Sequence, residues 1–88
     1  MPSLDHVLDL LERHRQRATY GAVGAVVGVA AQFVMNGRPR DPRHSWVVNR
    51  VDGQPTGYTE EQKHPALTSR AAVIKSGEEL EAWLQAPD

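Results

Sequence analysis

Arg38, Arg40 and Arg43 alternate with Pro39, Asp41 and Pro42, and this run is the part of the chain best suited to gripping an anionic polymer. Arginine forks match phosphate oxygens, and each phosphate neutralised adds about -0.9 to the salt slope of DNA binding. A solvated proline-rich loop is the plainer alternative. Tyr20 follows a capping threonine, Thr19, so its hydroxyl would stand near the outward-pointing amides of a helix N-terminus, a good place for a phosphate. A half-buried tyrosine that anchors helix packing is the competing reading. Trp46 lies in a β-forming run. It is either a core aromatic, the commoner fate of a strand tryptophan, or a platform for an extruded base, a contact worth about 1 to 3 kcal/mol. Tyr58 shares that ambiguity.

Other chemistry has less support. His6, His14, His44 and His64 lack the spacing of a metal site, and there is no cysteine, which removes disulfides, thiolate ligands and thiol nucleophiles. His44 and Ser45 are adjacent, yet nothing in the sequence supplies an aligned acid and an oxyanion hole. The expectation is a protein that is not an enzyme and needs no metal or cofactor, with a small hydrolase or transferase around His44 as the least supported reading.

The elements that hold these residues must fit in 88 residues, of which 40% are hydrophobic and 24% charged. That allows one ordinary folded domain over residues 1–88 with a thin core. Asp5, Asp9 and Glu12 interrupt any secretion signal, and the apolar window 22–35 is too short to cross a bilayer and contains Gln32. A cytoplasmic protein without membrane contact is expected. The net charge of -1 is unevenly spread: residues 1–50 carry seven arginines against four carboxylates, and the remainder three basic against seven acidic residues. One basic face and an acidic tail would result, unless the charges are simply scattered over the surface.

Ser3 caps a helix over about 4–15 whose stripe is Leu4, Val7, Leu8 and Leu11. Thr19 caps a second, short helix that ends at Gly28, with Gly21 and Gly24 as sites of close backbone approach. Residues 29–36 read as a third helix, closed by Gly37 and Pro39, so that about 19–36 forms a helix-turn-helix. The run 45–49, the turn Asp52-Gly53 and Gly57-Tyr58-Thr59 read as a β-hairpin over about 45–60. A helix over 66–75 and a last helix with the capping box Ser76-Gly77-Glu78-Glu79 complete the chain. The fold class is α+β, a small, mostly helical, winged-helix-like domain.

In that order, the elements resemble the DNA-binding domain of the O6-alkylguanine-DNA alkyltransferases and their non-enzymatic alkyltransferase-like relatives. The points of likeness are Thr19-Tyr20-Gly21, Val23, Ala25 and Gly28, then Val47-Val48-Asn49, Asp52-Gly53 and Gly57-Tyr58. The resemblance implies that Tyr20 packs beside a target phosphate and helps rotate a nucleotide out of the duplex. It puts Gln32 where the family has an arginine that fills the gap, and glutamine can bond a base edge but brings no charge. His44 falls where the family has its alkyl-accepting cysteine, which excludes alkyl transfer. The expected function is non-enzymatic binding of double-stranded DNA, in DNA repair, with modified or extruded bases as targets. The expected site is Tyr20, Gln32, Arg38, Arg40, Arg43 and Trp46. The alternative is a protein-interaction module on the same scaffold, with a protein partner and no DNA ligand.

Overall fold

A computed structural model describes residues 3–69 and 72–85. Helix α1, Leu4–His14, starts at Ser3, whose side chain accepts from the His6 amide, and buries Val7, Leu8 and Leu11. It stops where Arg15 turns left-handed (φ 54°) and the Gln16 amide reaches back 2.9 Å to the Leu11 carbonyl, a reversal that closes the last turn. Strand β1, Arg17–Thr19, is buried throughout and runs directly into helix α2, Tyr20–Val27. Thr19 caps α2 by accepting from the Ala22 amide, and Gly28 (φ 79°) ends it. Helix α3, Gly77–Gln85, packs chiefly on α2. Ser76 accepts from the Glu79 amide, while the Glu79 carboxylate reaches one residue past the usual capping-box partner to the Lys75 amide.

The sheet is parallel, with β1 in the middle. Strand β2, Val47–Val48, pairs with it through Ala18 opposite Val47, and β3, Val73–Ile74, through Ala18 opposite Ile74. Ala18, Val47 and Val48 are fully buried and Ile74 nearly so, the continuous apolar character of a parallel sheet covered by helices. The Gln16 side-chain amide donates to the carbonyls of Arg17 and Ala72, tying the first strand to the approach of the third. Among the described residues the molecule is thus a small α+β fold of three α-helices and a three-stranded parallel sheet.

Three expected elements differ. Residues 29–36 are not an α-helix, so the helix-turn-helix expected over about 19–36 lacks its second helix. The Val29 amide still bonds the Gly24 carbonyl, Ala30 is extended, and only a 3-10 turn, Ala31–Phe33, follows before Gly37 turns left-handed. Too few residues remain there to nucleate a helix. The hairpin over 45–60 is also absent. The Asp52-Gly53 turn does form, with the Asn49 side chain accepting from the amides of Val51 and Asp52, but no return strand follows. Pro55 lacks an amide donor and Gly57 is left-handed (φ 76°), so β2 finds its partner in β1 instead. In place of the helix over 66–75, a turn at 65–68 is followed by β3, because the open edge of β1 accepts the β-branched pair Val73–Ile74; residues 70 and 71 lie outside the described residues. Of the two glycines expected at close approaches, Gly24 meets the Val29 carbonyl and the Val34 side chain, whereas Gly21 has open space around it.

Candidate nucleic-acid interface

Tyr20, in the first turn of α2, lies half-buried against the core, and its hydroxyl accepts from the Thr56 amide at 3.1 Å. That bond draws the 56–62 loop over the start of the helix. From the other side the fold-back at Gly24 brings in the Ala31–Phe33 turn and the segment after it. Between them is an open cleft of about 640 Å³ whose lining includes Tyr20, Gln32, Arg38, Arg40, Tyr58 and Gln62 and, among the described residues, no carboxylate. Four of the six residues expected from the sequence therefore share one cavity.

Within the cleft, Gly57 makes room for a cation. A Cβ there would stand 3.1 Å from the Arg40 guanidinium, so the left-handed glycine lets the arginine lie against the loop. Arg40 is exposed and makes no ion pair among the described residues. The Tyr58 hydroxyl is pushed up to about 12 by burial first, then by Tyr20 and Asp41, with Arg40 opposing. It is therefore a hydrogen-bond donor at neutral pH.

The other two arginines are engaged elsewhere. Arg38 bonds Asp5 at 2.7 Å, and Arg43 bonds Asp9 and the Asp5 backbone carbonyl, so both reach across to helix α1. The Arg38 hydrogen bond and charge hold the Asp5 carboxyl below its ordinary value, although that group is fully exposed. The Asp9 hydrogen bond holds Arg43 even more firmly protonated. Arg43 does not line the cleft.

Trp46 is a correction to the expected site. Its relative exposure is 0% and it sits in the core cluster, with its ring 4.8 Å from that of His64. No base can stack on it, because the 3-10 turn His44–Trp46 that leads into β2 points the indole inward. The same turn buries His44. Its Nδ1 is 2.6 Å from the Asp41 carboxylate, and its Nε2 finds no partner among the described residues. Burial pushes the Asp41 carboxyl up, but the His44 side-chain and backbone hydrogen bonds outweigh it and hold the group below its ordinary value. Ser45 is occupied structurally: its hydroxyl donates to the Pro42 carbonyl and accepts from the His64 amide.

Sequence reasoning missed Thr56 and Gln62 as cleft residues, and left Tyr58 undecided. Gly57-Tyr58 carried a signal as a turn glycine followed by an aromatic, whereas Thr56 and Gln62 carried none. Among the described residues no three metal-ligating side chains come together, and no helix is long and apolar enough to cross a membrane. No family model, no curated protein and no solved structure matches this chain.

Proposed function

We propose that this protein binds double-stranded DNA without catalysing a reaction, in the manner of the alkyltransferase-like proteins, and that the cleft receives a modified or extruded base. One observation carries the reading: Tyr20, Gln32, Arg38 and Arg40 line a single cavity to which no carboxylate among the described residues contributes. Arg40 supplies the charge for a phosphate, Gln32 a pair of hydrogen-bonding groups for a base edge, and the protonated Tyr58 a further donor. The winged-helix likeness that accompanies this reading rests on the α1–β1–α2 succession alone, since the Ala31–Phe33 turn replaces the second helix of the motif and the loop from Asn49 to Tyr58 is no β-hairpin.

The experiment is a titration with duplex DNA, with and without an O6-alkylguanine, at two salt concentrations. Salt-sensitive binding is expected, tighter for the modified duplex and weakened in Arg40→Ala while the unfolding temperature stays unchanged. Absence of salt-sensitive binding at micromolar protein overturns it. The second reading, a protein-interaction module with no DNA ligand, is favoured by the neutralisation of Arg38 and Arg43 by Asp5 and Asp9. It predicts that Asp5→Asn leaves DNA binding absent, whereas a DNA-binding protein gains affinity when that competing carboxylate is removed.

A further inference from the structure

The 3-10 turn Ala31–Phe33 carries the chain's one phenylalanine into solvent. Phe33 is 54% exposed and Val29, four residues earlier, 42%, and neither belongs to the hydrophobic cluster or the side chains packed on it. Burying such a ring is ordinarily favourable, so the fold leaves this gain unrealised here, as it does for the smaller Val51, which is 93% exposed. The place is well anchored. Val34, the next residue, is buried against the Cβ-free face of Gly24, and the Phe33 amide and carbonyl bond Ala30 and Asn36 at 2.9 and 3.1 Å. The residue before Phe33, Gln32, lines the cleft that also includes Arg38 and Arg40. The result is an apolar prong on a short fixed turn at the edge of a cationic cavity.

Charge and shape together select the occupant. A phosphate-flanked base step offers both an anionic rim for Arg40 and flat apolar faces for the ring, and apolar wedges of this type enter base steps and unstack them. We infer that Phe33 is a wedge that enters the base stack of duplex DNA beside the nucleotide taken up by the cleft. The inference rests on the DNA-binding reading above and adds to it the residue that opens the duplex. Gln32 then bonds the base left without a partner, while Phe33 fills the stack.

The test uses the full chain and a duplex with 2-aminopurine next to the O6-alkylguanine, whose fluorescence rises when the stack opens. Wild-type protein raises the signal, Phe33→Leu keeps most of the rise because leucine is also a wedge, and Phe33→Ala loses it and binds about tenfold more weakly. The salt slope stays unchanged, since no phosphate contact is removed. Circular dichroism confirms that the exposed substitution leaves the fold intact. If Phe33→Ala binds and raises fluorescence like the wild type, the wedge is wrong and the DNA reading stands. If wild-type protein shows no salt-sensitive binding, the DNA reading falls and takes the wedge with it. If sedimentation shows that Phe33→Ala abolishes a self-association while DNA binding is unaffected, the prong is an interface between copies of the chain and the wedge is overturned.

Discussion

The stretch 3–28, with α3 returning onto it, is built differently from the stretch 29–69. In the first, α1 and α2 each begin at a hydroxyl cap and end in a left-handed residue, α1 burying one face and α2 most of its circumference. In the second the backbone is held by single bonds from side chains, such as Ser45 to His64, Asn49 to the Asp52 turn and Tyr20 to Thr56. The cleft lies where the second stretch is laid over the first. Stability resides mainly in the repetitive frame, and the chemistry in the irregular part it supports.

The comparison breaks most readily at Trp46, the largest of the side chains, with Val34, Val47 and Leu67, that the irregular stretch sends into the core. Trp46→Ala is expected to cost about 3 to 5 kcal/mol in chemical denaturation. A cost near zero would show that 29–69 is only draped on the frame. Next in size is Gly24→Ala, where the new Cβ would collide with the Val29 carbonyl oxygen. It should cost about 1 to 3 kcal/mol and loosen the Ala31–Phe33 turn, visible as amide shifts across the cleft. Thr19→Ala removes the α2 cap and should cost about 1 kcal/mol in thermal unfolding while leaving the shifts of the cleft residues other than the adjacent Tyr20 nearly unchanged.

The smallest effects are electrostatic. The Asp5 carboxyl is depressed in the folded protein by Arg38, so its contribution is present above the ordinary value of 3.8 and is lost as pH falls through the folded value. Asp5→Asn should flatten that acid limb of the stability profile. At the other extreme Tyr58 is raised from 10.0 to about 12, so its contribution is present below 10 and disappears as pH rises through the folded value. Ultraviolet titration of the phenols should lose its latest step in Tyr58→Phe.

The same division decides what could be read from the sequence. The caps at Ser3, Thr19 and Ser76 and the stop at Gly28 are local chemistry, legible within a few residues, and the structure has them where the sequence puts them. The two-residue strands are too short to show an alternation, and their pairing is set by a distant β1 edge rather than by a turn. The Asp52-Gly53 signal was correct as a turn and misleading as a hairpin, because Pro55 and Gly57 act just beyond it. In the site, Tyr20 and Arg40 were legible from position and charge. Burial, which separates Trp46 from the cleft and pairs Arg43 with α1, depends on contacts that no spacing encodes.

Because β1 is the central strand and both its neighbours are parallel, neither pair can zip up from a tight turn. Ala18 must find Val47 and then Ile74 across most of the chain. Closing such long loops comes before the contacts that reward it. Despite its small size and helical share, the chain should therefore fold more slowly than a three-helix bundle of equal length, with α1 and α2 formed early and the sheet completed only when the last strand docks.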